Sequence, residues 1–442
     1  MRTSLWTLPI LLLMAGCGNG ASGPEQADPA AAPMSPEMGA DVSAEAPAED
    51  DAAEQTARIA IESQEPEESR PPNAEWQEPA FPGQTRAPKP AYTEAWSVET
   101  VAEGLDHPWA LEFLPDGSLL VTERSGSLRH VLPDGTISEP LAGVPGVHNV
   151  AQGGLLDVAL APDFPDSRRI FLTFSEPTGD ASRTSVATAT LSEDHTALTG
   201  TEVIFRQEPE WQSRGHYGSR IVFATDGTMY VTFGDRMDRT RTQAQDPLNH
   251  IGTVIRILPD GTVPEDNPFV EDPSGAAEVW SWGHRNIQAA DLHPETGELW
   301  TIEHGPQGGD ELNRPEAGRN YGWPKVTYGE NYDGTRVTEG VTRSDDTVQP
   351  VYYWDPVIAP SGMDFYTGDL FETWRGNLFV GGLGSGKIVR LVMDGDRVLA
   401  EEWLEIGRRV RDVKEAPDGT LWLVTDHDNG QVMRIVAGEP EA

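Results

Sequence analysis

Short apolar strands separated by tight-turn signals recur along the chain from about Val98 to Ile435. The clearest copies are Phe113-Leu-Pro-Asp-Gly-Ser-Leu-Leu-Val-Thr122, Phe223-Ala-Thr-Asp-Gly-Thr-Met-Tyr-Val-Thr232 and Glu415-Ala-Pro-Asp-Gly-Thr-Leu-Trp-Leu-Val-Thr425. Weaker copies begin at Leu160, Leu292 and Trp374, which makes six. Glycine after aspartate supplies the positive φ that a tight hairpin turn needs, and alternation with period two marks a half-buried strand. No stretch sustains the 3.6-residue apolar period of an amphipathic helix. Copies spaced by roughly 40 to 80 residues leave room for four strands and their loops. The pattern therefore predicts an all-β fold, a six-bladed β-propeller of four-stranded antiparallel blades, formed as one closed domain over residues 92–442. A double β-sandwich is the rival arrangement. In a propeller, Glu99 to Leu105 is expected to pair with the last blade and close the ring.

The first 91 residues lack this pattern. Residues 1–16 carry Arg2, an apolar stretch from Leu5 to Leu13 and small residues before Cys17, and read as a cleaved signal peptide too short to span a bilayer. Small residues ahead of a lone cysteine resemble a bacterial lipobox, in which Cys17 is lipidated and becomes the new N-terminus. Gly18 to Ala91 holds 15 acidic and 4 basic residues in an Ala/Pro-rich background almost without branched apolar side chains. Such a composition cannot bury enough surface to offset chain entropy, so residues 17–91 are expected to form a lipidated, disordered tether. The resulting localisation is the bacterial cell envelope: an exported, periplasm-facing protein that meets a membrane only through its lipid.

Charge and cysteine content narrow the function. With 32 Lys+Arg against 72 Asp+Glu, the 442-residue chain carries −40, which opposes binding to phosphate backbones, so no nucleic-acid partner is expected. One cysteine can form neither an intramolecular disulfide nor a zinc-thiolate cluster.

Polar residues beside the repeat strands are the candidate chemistry, because strand-ending loops on one propeller face converge on the channel. They lie in Gln152-Gly-Gly-Leu-Leu156, Arg214-Gly-His-Tyr-Gly-Ser219, Gly283-His-Arg-Asn286, Glu303-His-Gly-Pro-Gln-Gly-Gly-Asp-Glu311, Arg408-Arg-Val-Arg-Asp412 and Thr425-Asp-His-Asp428. Singly, an Arg-rich loop is an ordinary solvated face and an Asp-Glu pair an ordinary turn cap. Together they describe a cationic pocket in an anionic protein, suited to a small polyanion. Gly305-Pro306 beside Asp310 and Glu311 adds carbonyl and carboxylate oxygens of the hard type that calcium accepts.

His107-Pro-Trp-Ala-Leu111, Gln152-Gly-Gly-Leu-Leu-Asp157, Gly283-His-Arg-Asn286, Glu303-His-Gly-Pro306, Asn320-Tyr-Gly-Trp-Pro324 and Arg409-Val-Arg-Asp412 occur in one order along the chain. This series resembles the glucose/sorbosone dehydrogenase family, the soluble PQQ-dependent aldose sugar dehydrogenases. The resemblance implies a six-bladed propeller holding pyrroloquinoline quinone (PQQ) and Ca2+, an aldose substrate oxidised at C1 to a lactone, and a quinone or cytochrome as electron acceptor. It implies His216 as general base and Arg409 as a second catalytic group. It places Gln152, Arg285, Asn286, Arg409, Arg411 and Asp426 on the cofactor, the carbonyls of Gly305 and Pro306 on the catalytic calcium, Asp310 and Glu311 at a second calcium, and Trp354 over the substrate. One position departs from the family pattern: Gly384 stands where a cofactor-binding Lys is expected, and Lys387 lies three residues on. Two other classes fit parts of the pattern, a calcium-dependent lactonase on a propeller and a non-catalytic surface binding propeller.

Overall fold

The Asp-Gly turns join the first and second strands of their blades. In Leu114-Pro-Asp-Gly117 the N–H of Gly117 bonds to Leu114 O at 2.9 Å, and Gly117 has φ 82°. Oδ1 of Asp116 accepts from the N–H of Ser118, and Asp226 and Asp418 do the same for Thr228 and Thr420. The carboxylate caps the turn two residues on, so the repeat continues Asp-Gly with Ser or Thr.

The computed structural model describes residues 65–237 and 240–438. Six small sheets form a ring. Blade one comprises Pro108–Phe113, Leu119–Glu123 and Ser127–Val131, and blade two Leu155–Leu160, Arg169–Thr178, Ala181–Leu191 and Leu198–Arg206. Blade three starts with Ile221–Phe223, Met229–Thr232, Thr253–Ile257 and Val279–Trp282; blade four has Ile287–Leu292, Leu299–Glu303, Asp310–Asn313 and Tyr352–Trp354. Blade five has Pro360–Phe365, Leu378–Gly382, Lys387–Asp394 and Arg397–Glu405, and blade six Val410–Glu415, Leu421–Thr425 and Gly430–Ala437. The first strand of each blade lies innermost, each beside the next, with the sixth against the first. Trp96–Leu105 pairs antiparallel with Gly430–Ala437 and closes the ring, as expected.

Two blades depart from four antiparallel strands. Blade one has three. Blade three gains a fifth, Arg319–Asn320, which runs parallel to Val279–Trp282 and is held there by a reciprocal amide pair between Asn320 and Gln245, 3.0 Å in each direction.

The repeat's threonines and the channel's aspartates link blades that share no backbone ladder. Oγ1 of Thr122 donates to Leu156 O of blade two at 2.6 Å, and Oγ1 of Thr173 to Ser219 O at the entry of blade three at 2.7 Å. Asp157 accepts from Ile221 N, Asp291 from Phe365 N, and Asp412 from Leu111 N, each bond joining adjacent inner strands. Arg220 bridges Asp157 at 2.9 Å and Asp412 at 2.7 Å inside the channel. Between blades, faces such as Trp109, Leu156, Leu172 and Phe174 pack into buried apolar layers.

The leader, Cys17 and the tether up to residue 64 lie outside the described residues. Residues 65–91 correct the expectation of a disordered tether reaching Ala91, because they lie packed on blades four and five. Ala74 and Gln84 are fully buried, and Gln84 Nε2 donates to Pro350 O at 2.8 Å. Composition pointed the other way because the segment buries few side chains and is held by backbone and amide hydrogen bonds instead. Among the described residues no helix is long and apolar enough to cross a membrane.

Candidate active site

Antiparallel pairing brings the start of each first strand beside the end of each second strand: Pro108 opposite Glu123, Ile287 opposite Glu303, Val410 opposite Thr425. Residues at these two phases of the repeat therefore share one face of the ring. They line a cleft of about 180 Å³ whose walls include Trp109, Arg124, Gln152, Tyr217, Asn286, Gln288, His304, Ala359, Leu383, Arg409, Arg411 and Asp426. Of the predicted residues, Gln152, Asn286, Arg409, Arg411 and Asp426 form the walls, and His216 and Arg285 adjoin them.

His216 is held at φ 53° in the loop leading into blade three, and its N–H donates to Oε1 of Gln152 at 2.8 Å. Its Nδ1 lies 2.6 Å from Oδ1 of Asp235. Asp235 also accepts from Met237 N at 2.8 Å and from the Trp323 indole N–H at 2.7 Å, so the carboxylate is fixed from three sides. Burial holds the His216 pKa below its usual value, Asp235 pulls the other way, and Arg285 adds to the lowering. Burial pushes the Asp235 carboxyl up, but His216 and Arg285 outweigh it and keep the pKa low. A neutral imidazole with Nδ1–H bonded to a carboxylate leaves Nε2 as a proton acceptor.

The cleft is cationic. Arg124, Arg409 and Arg411 line it, with Asp426 as the single acidic side chain in its wall among the described residues. Arg409 reaches Asp426 at 2.8 Å and donates to Leu383 O at 3.0 Å, and Arg124 lies 3.8 Å from Asp426. Arg411 is buried, bonds Gln288 Oε1 at 2.8 Å, and stacks on Trp109 with its guanidinium carbon 4.3 Å from the ring centroid. Burial lowers its pKa to about 9, and its Nε has no hydrogen-bond partner among the described residues. Arg285 Nε is likewise buried and unpartnered, while its Nη1 donates to His304 O at 2.9 Å. His304 is kept neutral by burial, with a pKa of about 3.

Three predicted positions, Asp310, Glu311 and Trp354, do not line the cleft. Oδ1 of Asp310 accepts from Gly305 N at 2.8 Å and Oδ2 from Ile358 N and Ala359 N at 2.9 and 2.8 Å. Three backbone donors bind this carboxylate, so it organises the 305 and 358 loops. Glu311 neighbours Glu303, both accept from Asn313 Nδ2, and burial together with Glu303 pushes the Glu311 pKa well up. Trp354 lies in the outer strand of blade four, buried among Ala87, Leu312 and Ile358, with its indole N–H donating to Glu401 at 3.1 Å. It is not on the cleft wall, because its strand register pairs it with Asp310 and packs it between blades. Lys387 is turned away too: its ammonium sits 3.4 Å above Trp403 and 3.1 Å from Glu405. Among the described residues no three His, Cys, Asp or Glu side chains converge as a metal site.

Asp235 and Arg124 lie outside the runs singled out in the sequence, whereas His304, Trp109 and Trp323 lie inside them without an assigned role. Arg124 and His304 sit where second strands end, so the repeat phase itself marks them. Trp323 comes from the long insertion after blade four's third strand, and no local pattern marks its approach to Asp235.

The profile of the family described as Glucose / Sorbosone dehydrogenase matches residues 105–434. Aldose sugar dehydrogenase YliI of Escherichia coli (strain K12) is 42% identical over 344 residues, 77% of this chain and 92% of that protein. The apo crystal structure of the soluble aldose sugar dehydrogenase from Escherichia coli superposes with a TM-score of 0.75 at 41% identity, covering 78% of this chain and all of the other. The PQQ-bound aldose sugar dehydrogenase from Streptomyces coelicolor superposes with a TM-score of 0.64 at 28% identity, over 78% of this chain and all of that one.

Proposed function

The chain belongs to the glucose/sorbosone dehydrogenase family, and from that premise we propose that it oxidises aldose sugars at C1 to lactones with pyrroloquinoline quinone and calcium, His216 acting as general base. The cleft carries this reading: among the described residues three guanidiniums face one carboxylate there, and the buried Nε atoms of Arg411 and Arg285 have no hydrogen-bond partner. A small tricarboxylate offers acceptors for these donors, and guanidinium–carboxylate pairs are the strong form of such bonds. The relative from Streptomyces coelicolor is described in its PQQ-bound form, which supports the cofactor class. For calcium, the carbonyls of Gly305 and Pro306 accept no hydrogen bond from the described residues and are hard oxygen donors.

The bound quinone would supply the hydride acceptor and calcium a Lewis acid beside it. The protein's part follows from its own geometry. Nε2 of His216 takes the proton of the C1 hydroxyl, while Asp235 holds Nδ1–H and stabilises the imidazolium that forms. Gln152 fixes the His216 backbone. Arg409 and Arg411 bind carboxylates and stabilise negative charge that develops near them. A calcium-dependent lactonase needs carboxylates converging in the cleft, whereas Asp426 stands there alone among the described residues.

The test is reconstitution of the purified protein with PQQ and Ca2+, following cofactor absorbance as aldoses are added and dye reduction in parallel. Spectral change on sugar addition in the wild type, with cofactor binding but no reduction in His216→Ala, is the expected result. Lactone hydrolysis with calcium alone, or no binding at all, overturns the reading. We also propose, from the leader alone, export and lipidation at Cys17; the mass of the mature N-terminal peptide tests it.

A further inference from the structure

Residues 65–91 precede the part of the chain that the family profile matches, yet they bind Asp355 at the start of the turn that carries Ala359 of the cleft wall. Pro66 and Pro88 pair in an antiparallel bridge, so the segment forms a loop closed on itself. Its apex seats on Asp355, which is 3% exposed. Oδ1 of Asp355 accepts from Asn73 N at 2.9 Å and Oδ2 from Ala74 N at 3.0 Å, and Gln77 Nε2 also donates to Oδ2. Arg86 donates to Asp355 O at 2.6 Å, and Gln84 O accepts from Tyr353 N at 2.9 Å on the strand just before.

Asp355 begins a turn that leads directly to the cleft. Three residues on, Ile358 N and Ala359 N bind Asp310, the carboxylate that also holds Gly305 N. Ala359 lines the cleft with φ 53°, its O accepts from Leu383 N, and Leu383 O receives Arg409. The turn is packed without slack on the other side as well, since a Cβ on Gly308 would come within 2.6 Å of the Asp355 carboxyl carbon. A backbone at positive φ persists only where its surroundings over-determine it.

We propose that Asp355 is a positioning residue through which segment 65–91 holds the 355–360 turn, and with it Ala359, Leu383 and the Gly305 loop, in the arrangement that binds the cofactor. Detaching the segment leaves a buried carboxylate without donors, and the turn relaxes to hydrate it. Only the cofactor arm of the test below rests on the proposed function.

Two full-length variants separate the contact from either side: Asp355→Ala, and the double variant Gln77→Ala/Arg86→Ala, which removes the two side-chain donors that the segment sends to Asp355. Hydrogen exchange followed by mass spectrometry reads the amides of Ile358, Ala359 and Gly305 against residues 119–131 of blade one as an internal reference. The expected result is exchange faster by about tenfold at 358–359 in both variants with blade one unchanged, because each hydrogen bond lost is worth on the order of 1 kcal/mol. Wild-type protection at 358–359 in the double variant overturns the proposal, and that variant decides alone if Asp355→Ala does not fold. In parallel, absorbance titration with PQQ and calcium is expected to give a dissociation constant raised about tenfold in the variants. A wild type that binds no PQQ refutes the proposed function, and the exchange result then judges the role of Asp355 by itself.

Discussion

The imidazole Nδ1 of His216 lies 2.6 Å from Oδ1 of Asp235, across two loops of blade three that meet only because its first and second strands are antiparallel. That pair defines the protonation state on which the proposed reaction depends.

A base must be neutral to act, and burial holds the His216 pKa below the ordinary histidine value. The neutral form therefore dominates at all pH values above about 6.5, the unperturbed pKa. The turnover rate with aldose should stay flat down to about that pH and fall only under more acidic conditions. Asp235→Asn removes the contribution that raises the pKa, so the acid limb should move to lower pH, while the rate drops by about 10²- to 10⁴-fold through loss of the Nδ1–H tautomer. An Asp235→Asn enzyme with wild-type rate, or with the limb moved to higher pH, contradicts the assignment.

Arg411 should serve binding at the expense of stability. Its guanidinium is buried, with Nε unpartnered among the described residues and its pKa lowered to about 9, so the free protein carries a poorly compensated charge. Arg411→Met is expected to weaken PQQ binding by about 10- to 100-fold, a loss of roughly 1.4 to 2.8 kcal/mol. The melting temperature should hold or rise, as replacing a buried charge by an apolar side chain is often neutral or stabilising. Calorimetry and absorbance titration on one preparation check both halves.

Lys387 should be irrelevant to the cofactor. Its ammonium is already engaged by the Trp403 face and Glu405. Lys387→Ala is expected to leave the PQQ dissociation constant within about twofold of wild type; a tenfold loss would show that the side chain swings into the cleft.

Two turn glycines distinguish strain from collision. Gly117 has φ 82° with nothing within 4 Å of the place a Cβ would take, so Gly117→Ala should cost about 1 kcal/mol in backbone strain alone. At Gly135, φ is 87° and a Cβ would stand 2.1 Å from Val101 O, in the strand that closes the ring. Gly135→Ala should therefore lower the denaturation midpoint markedly more than Gly117→Ala, and equal midpoints would contradict the closing contact.

The features legible in the chain are those with local causes. Asp-Gly followed by Ser or Thr specifies its own turn, alternation specifies a strand, and the Val-Thr ending of a second strand marks where functional loops begin. From these came six blades, the closing strand and the loops of one face; that Gln152, Asn286, Arg409, Arg411 and Asp426 share one site was implied by the family resemblance, and all five line the cleft. What the chain could not display is which loop from one blade meets which from another. Asp235 acquired its role from His216 and Trp323, Asp310 is taken up by three backbone N–H groups, and Trp354 turned inward. Residues 65–91, acidic and proline-rich, found hydrogen-bond partners in Asp355, Pro350 and Tyr352. Turns and strands are set by φ preferences and side-chain periodicity within a few residues. Hydrogen-bond partnership between distant loops exists only once the ring has closed, and ring closure is a property of the tertiary structure.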